Sequence, residues 1–249
     1  LQKQSAGIRL AAILLEVDAR PYMESGIRRA IDALHMYNIE VEYTACAYGD
    51  AEAQLALIEH AIETQVDGII LSPLAAESIR SAVNRAVEAG IPVVCTNTDI
   101  EGTGRLCYVG ENAAQASRIA GRMLGELVGG TGKIAVITST SARRAGTYFL
   151  YVRENGFLSY IEENFPEIEV AERVPSMENP AMMYQITLEL LARQPDLRGI
   201  YVVGGGVREV GRAVREAGRG GKLKVVCFED YPEILQLLRE NLVTCTINS

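Results

Sequence analysis

Gly68-Ile69-Ile70-Leu71 and Gly199-Ile200-Tyr201-Val202 open two stretches that nearly repeat each other. Ala82-Val83 and Ala213-Val214 stand at the same offset inside them. Val93-Val94-Cys95 and Val225-Val226-Cys227 close them, one residue out of step. Each stretch reads as strand, helix, strand: a short apolar run, a turn, an amphipathic segment, a glycine and a second apolar run. Two copies in one chain predict two similar α/β lobes. In open α/β sheets ligands bind beyond the carboxyl ends of the strands, so a ligand cleft between the lobes is expected.

The same alternation extends outward in both directions. Leu10–Leu15 is a continuous apolar run, as a parallel strand covered on both faces requires. Met23, Ile27, Ala30, Ile31 and Leu34 then recur at helical spacing behind Pro21. Gly49-Asp50 supplies a turn and an N-cap for the stripe Leu55, Ile58, Ile62. Gly90 sits where a helix beginning near Ile79 should end. Leu106–Val109 reads as a strand that crosses over, and Asn179-Pro180 as N-cap and first helical residue. The fold class is therefore α/β, with two doubly wound, mostly parallel sheets. The expected lobes are residues 7–106 and 107–249, preceded by a linker remnant at 1–6.

Bulk properties exclude several functions. Of 249 residues, 48% are hydrophobic, enough for real cores, yet no apolar run approaches the roughly 20 residues of a membrane span. A net charge of −8 argues against a broad nucleic-acid grip, which needs clustered Lys and Arg. The five cysteines are odd in number, lack CxxC spacing and lie in or beside strand-like runs. That pattern predicts buried free thiols and points to a reducing, cytoplasmic compartment. The two histidines, His35 and His60, are remote from every cysteine, so no metal site is expected. No cofactor is implied.

Motifs for chemistry mostly fail. Gly129-Gly130-Thr131-Gly132-Lys133 resembles a phosphate loop, but Ile134 follows the lysine, Leu127 replaces the leading glycine, and a strand follows instead of preceding. It reads as a helix-to-strand turn. Gly204-Gly205-Gly206 follows a strand and opens a helix without a GxGxxG pattern; a tight turn that lets a ligand approach the backbone is the reading. No GxSxG elbow is present, and no catalytic set assembles, so an enzyme is not expected. Polar residues just after strands form a better constellation: Ser72, Asn97 and Thr98, Gly110-Glu111, and Glu229-Asp230. Helix capping and turn formation are the competing explanation for each one singly. Their shared position favours a ligand site.

At this point the chain resembles the type I periplasmic-binding-protein fold. That fold serves sugar-binding transport proteins and the effector-binding cores of LacI-type regulators. The resemblance rests on Val66–Pro73, Ala89–Val94, Val109–Asn112, the Arg-x-x-Gly-Phe pattern of Arg153–Phe157, and the turn Gln194–Leu197. By position it implies a pocket for a small polar ligand, a sugar or sugar derivative. Tyr22 falls where the family stacks an aromatic ring on a sugar, and Ser72 where it often has Asn. Asn97 and Thr98 replace a frequent Asp-Arg pair. Arg153 matches the family's arginine, Gly204 replaces an Asn, and Glu229 replaces an Asp. Tyr148, near Phe149 and Tyr151, shapes the pocket, Gly110 lines it, and Ser249 is the polar residue of the last hinge strand.

The resemblance also sets the expected function. The opening residues resemble the end of a linker, and the chain stops where the family crosses back to its first lobe, so the final crossover is expected to be missing. Together with the thiols, this predicts a cytoplasmic effector-binding core of a LacI-type transcriptional regulator. Such a core would pair as a homodimer and reach operator DNA only through an absent helix-turn-helix domain, with no membrane partner. The alternative is an extracytoplasmic solute-binding protein of a sugar transport system.

Overall fold

A computed structural model describes residues 7–17, 20–138, 148–176 and 179–248, without the side chains of Tyr148 and Pro180. The chain divides into two compact units, one running through Gly110 and the other beginning at Glu111.

The first unit holds β1 (Ile8–Glu16), α1 (Arg20–Ala33), β2 (Ile39–Ala47), α2 (Ala51–Glu63), β3 (Gly68–Leu71), α3 (Glu77–Glu88), β4 (Val93–Thr96) and β5 (Cys107–Val109). Its strands lie in the order β2-β1-β3-β4-β5, all parallel. The second unit holds α4 (Ala113–Leu127), β6 (Thr131–Thr138), α5 (Tyr148–Asn164), β7 (Glu167–Pro175), α6 (Pro180–Arg193), β8 (Leu197–Val202), α7 (Val207–Glu216), β9 (Lys224–Phe228), α8 (Pro232–Arg239) and β10 (Cys245–Ile247). Its order is β10-β9-β8-β6-β7, again all parallel. Read from the edge, both sheets follow one rule: second strand, first, third, fourth, fifth. The near-repeat in sequence is thus the third strand, helix and fourth strand of each unit.

The boundary corrects the expected one. Cys107–Val109 pairs with β4 through Val94↔Cys107 and Thr96↔Val109, so it completes the first sheet. The division falls after Gly110, not after Leu106.

Burial follows from strand alternation. In β1, Ala11, Ile13 and Leu15 pack with Ile58 and Ala61 of α2 and Ile79, Val83 and Ala86 of α3. Ala12 and Leu14 face the other way and are also buried. That second face carries α1: Arg28 lies over the ring of Tyr43, the register partner of Ala12, at 4.3 Å. The apolar residues at helical spacing do form α1, yet no residue of α1 is buried. In the second unit Ala135, Ile137, Ile200, Val202, Val225 and Cys227 form one core layer with α6, α7 and α8. Ile134, Val136, Tyr201, Val226 and Phe228 form another with α4 and α5.

Local signals place the helices. Asp50 and Asn179 cap α2 and α6 by accepting from the Ala53 and Met182 amides, at 2.9 and 3.1 Å. Asn112 caps α4 in the same way. Gly129 and Gly130 have positive φ and turn the chain from α4 into β6, as read from sequence. All five cysteines are free; Cys46, Cys95 and Cys227 are buried, Cys245 is half-buried and Cys107 is exposed. Burial pushes the Cys95 and Cys227 thiols up to about 12.

Candidate functional site

The carboxyl ends of the second sheet assemble a charged cluster around Arg153. Helix α5 presents Phe149 and Arg153 four residues apart, hence on one face. The Arg153 guanidinium lies 4.6 Å from the Phe149 ring centre and 3.7 Å from that of Phe228, the last residue of β9. Arg153 Nε donates to Glu111 Oε1 at 2.5 Å, and Nη1 donates to the Val203 carbonyl at 3.3 Å. Nη2 lies 3.5 Å from Glu229 Oε1. Arg153 is only 4% exposed. Its side-chain partner Glu111 is 7% exposed, whereas Glu229 is 29% exposed and is the open member of the cluster. A buried guanidinium requires such pairing, because an uncompensated charge in the core is strongly unfavourable.

Each member is held by its element. Glu111 precedes the α4 cap Asn112. Glu229 takes a positive φ of 75° just past β9. Its amide donates to the Ile247 carbonyl at 2.9 Å, and its carbonyl accepts from Thr246 Oγ1 at 2.5 Å, so β10 stitches the strained residue in place. Below the cluster, Tyr201 stacks on Phe157 at 4.1 Å and meets Phe228 edge-on at 6.1 Å. Burial pushes the Tyr201 hydroxyl up, so it stays neutral. A second buried carboxylate, Glu154, accepts from Thr138 Oγ1 and Arg173 Nε, both at 2.8 Å. Gly204 is half-buried beyond β8, next to Val203. In the same turn, Gly206 has φ 78°, and a Cβ there would come within 2.7 Å of the Met183 side chain, so glycine is required by the turn itself.

The strand ends of the first unit are arranged differently. Ser72 is fully buried; its amide donates to the Ile13 carbonyl, and its hydroxyl donates to Met23 Sδ at 3.8 Å. Gln54, also buried, donates to the Ser72 carbonyl at 2.9 Å and accepts from the Leu74 amide at 2.8 Å. Thr98 is buried and donates to the Pro73 carbonyl at 2.8 Å, tying the loop after β4 to the loop after β3. Asn97 is half-buried with φ 64°, and its carbonyl accepts from the Tyr108 hydroxyl at 3.2 Å. Gly110 gives that ring its room: a Cβ there would lie 2.2 Å from the Tyr108 hydroxyl. Tyr22 stands in the first turn of α1, 43% exposed. The Tyr148 side chain and Ser249 lie outside the described residues. Of the ten expected site residues, the structure therefore joins Arg153 and Glu229 directly.

Sequence reasoning missed Glu111 as the partner of Arg153, although it had placed Gly110-Glu111 at a strand end. Pairing across 42 positions has no local signal. It also missed that the loop after β4 carries an Asp–Arg pair of its own, Asp99 and Arg105, 2.6 Å apart. Among the described residues no group of three His, Cys, Asp or Glu side chains could hold a metal ion. Among the same residues no helix is long and apolar enough to cross a membrane.

Comparison with known proteins bears on what this arrangement serves. A family model described as periplasmic binding protein domain matches residues 11–249. The D-apiose import binding protein of Paraburkholderia graminis is 28% identical over 153 residues, which cover 61% of this chain and 47% of that protein. The ABC transporter periplasmic-binding protein YphF of Escherichia coli is 28% identical over 232 residues, 88% of this chain and 68% of that one. The chain thus spans about half the length of the first of these relatives. Among solved structures, an ABC transporter solute-binding protein from Burkholderia graminis, in complex with D-arabinose, matches with a TM-score of 0.87 at 27% identity. That match covers 97% of this chain and 82% of the other. A sugar-binding protein of a sugar ABC transporter from Bacillus halodurans matches with a TM-score of 0.82 at 28% identity, over 94% and 79%.

These relatives overturn the regulator reading. They are named as import and transport binding proteins, so the expected LacI-type effector core is corrected, and its operator DNA and homodimer lose their basis with it. The cytoplasmic expectation falls on the same finding. It had leaned on the cysteines, but Cys46, Cys95 and Cys227 are sealed in cores and report on packing, not on redox compartment. The α/β fold of two parallel-sheet lobes is that of the type I periplasmic binding proteins. On a family match running almost from end to end, the chain belongs to the periplasmic binding protein domain family.

Proposed function

We propose that this chain is a solute-binding protein of an ABC-type sugar import system, working outside the cytoplasm and taking a monosaccharide or close derivative. One observation carries the reading: the carboxyl ends of the second sheet fix a planar cation between two aromatic rings, with an open carboxylate beside it. A sugar hydroxyl both donates and accepts. Glu229 Oε1 can accept its proton while an Arg153 N–H donates to its oxygen. The relatives named for D-apiose import and solved with D-arabinose support the same ligand class. The work is binding and release, with no bond made or broken. Ser72 and Thr98, sealed by their own backbone partners, are framework residues in this reading.

Isothermal titration calorimetry with a panel of aldopentoses and aldohexoses tests it. Saturable one-to-one binding of at least one neutral monosaccharide is expected. Arg153→Lys keeps the charge but loses the planar fork, and should weaken that sugar by about ten- to a hundred-fold, as for loss of a charge-assisted hydrogen bond. No heat and no thermal shift with any sugar at millimolar concentration would refute the proposal.

A further inference from the structure

Each unit holds the residue just past its fourth strand in a left-handed backbone conformation. Asn97, past β4, has φ 64°, and Glu229, past β9, has φ 75°. Both hang on the fifth strand of their sheet by the same two bonds. The Asn97 amide donates to the Val109 carbonyl at 3.4 Å, and the Glu229 amide to the Ile247 carbonyl at 2.9 Å. The Asn97 carbonyl accepts from the Tyr108 hydroxyl at 3.2 Å, and the Glu229 carbonyl from Thr246 Oγ1 at 2.5 Å. Tyr108 and Thr246 stand at one register position, opposite Cys95 and Cys227. One device thus occurs twice, built from a phenol in the first unit and a threonine in the second.

The two copies differ in need. Asparagine tolerates the left-handed region, because its short polar side chain can bond locally; glutamate has no such compensation, and its Cβ crowds the following carbonyl. Both bonds are shorter at Glu229, where the conformation is the less favourable one. A costly conformation persists only where its surroundings over-determine it, and such residues cluster at ligand sites. Here the backbone sets the direction of the Glu229 Cα–Cβ bond, and with it brings Oε1 to 3.5 Å from Arg153 Nη2. An extended or right-handed backbone would send the same side chain off in another direction.

We propose that Thr246 is a positioning residue of the sugar site: its hydroxyl holds the Glu229 carbonyl and so fixes the left-handed backbone that aims the Glu229 carboxylate beside Arg153. The proposal rests on the sugar-binding reading above, in which Glu229 accepts from a sugar hydroxyl. Thr246 acts through Glu229, by sparing the cost of ordering that carboxylate when the sugar arrives.

The experiment is calorimetry with whichever of D-arabinose, D-ribose, D-glucose and D-galactose wild type binds most tightly. Thr246→Val keeps the branched shape and loses the hydroxyl; it should weaken that sugar by about three- to tenfold, as for one hydrogen bond. Thr246→Ser keeps the hydroxyl and should stay within about twofold of wild type. Thr244→Val is the structural control. Thr244 Oγ1 accepts from the Val225 amide at 3.1 Å, so this variant also removes a hydroxyl that bonds the β9 backbone, but at the far end of the strand from Glu229. It should leave affinity unchanged. If Thr246→Val fails to fold, Thr246→Ala takes its place against the same Thr246→Ser reference. Unchanged affinity without the Thr246 hydroxyl would overturn the proposal and leave the sugar reading standing. So would an equal loss in Thr246→Ser, or an equal loss in Thr244→Val, which would mark a general weakening of the sheet edge. Silence of wild type with all four sugars would refute the sugar reading, and this proposal with it.

Discussion

The two units share a strand order but not the chemistry at their strand ends. After β3 and β4 of the first unit, the buried polar side chains satisfy backbone, Gln54 serving Ser72 and Leu74 and Thr98 serving Pro73, while the part-exposed Asp99 and Arg105 pair with each other. After β6, β8 and β9 of the second, side chains serve one another: Arg153 with Glu111 and Glu229, and Glu154 with Thr138 and Arg173. Neutral amide and hydroxyl bonds build a stiff rim. Paired charges build a site whose electrostatics one substitution can change. A shared topology therefore predicts where functional residues stand and says little about which of them face a ligand.

If that contrast is right, the largest stability effect lies at the charged cluster. Arg153→Leu takes the guanidinium from the buried Glu111 carboxylate and should cost about 3–5 kcal/mol, measured by urea unfolding. The double variant Arg153→Leu/Glu111→Leu should recover most of it, since replacing both partners of a buried pair is often near neutral. A single-variant loss under about 1 kcal/mol would mean the cluster behaves like a surface pair. In the first unit, Gln54→Leu removes the partners of the Ser72 carbonyl and the Leu74 amide. About 1–3 kcal/mol for each group left buried is expected, with slowed-exchange protection lost first around residues 72–74. No loss would show that water replaces the glutamine there.

The thiols offer a comparison in which the units should behave alike. Cys95 and Cys227 have their thiols pushed up to about 12 by burial, from an ordinary value near 9. Between those values the unfolded chain releases the proton while the folded chain keeps it. Stability contributed by each thiol is thus fully present below pH 9 and falls toward pH 12, by up to about 1.4 kcal/mol per pH unit. Cys95→Ala and Cys227→Ala should each flatten the alkaline limb of the stability profile, and native thiol titration should label the exposed Cys107 first. Fast native labelling of Cys95 or Cys227 would contradict the packing of their sheets. Smallest of all, Asp50→Ala and Asn179→Ala should cost about 1 kcal/mol each, because an N-cap contributes the same in either scaffold. A clear inequality between them would show that one cap does more than hold its helix.

How much was legible in advance depended on the range of the interaction involved. Element types, the caps Asp50 and Asn179, and the turn glycines rest on neighbours a few residues away, and were readable. The edge strand Cys107–Val109 was seen as a strand but given to the wrong unit, because three residues carry no record of which sheet accepts them. The spacing of the α1 stripe was legible as a helix, but its lack of buried residues was not, because burial depends on what the rest of the fold lays against it. Arg153 and Glu229 were marked by family position, and the structure brings the two side chains together. Ser72 and Thr98 were marked in the same way, yet their side chains turn inward to the framework.

What the sequence determined by itself is the scaffold: short apolar runs alternating with amphipathic stretches, repeated once, admit little besides two parallel sheets with helices on both faces. That information is local and periodic, and hydrophobic burial reads it directly. Which charges meet was decided only by tertiary structure. Glu111, Arg153 and Glu229 lie 42 and 76 residues apart along the chain and come together because β8 and β9 end, and α4 and α5 begin, at one edge of one sheet. Burial there forces each charge to find a partner, and that requirement has no counterpart in the local pattern.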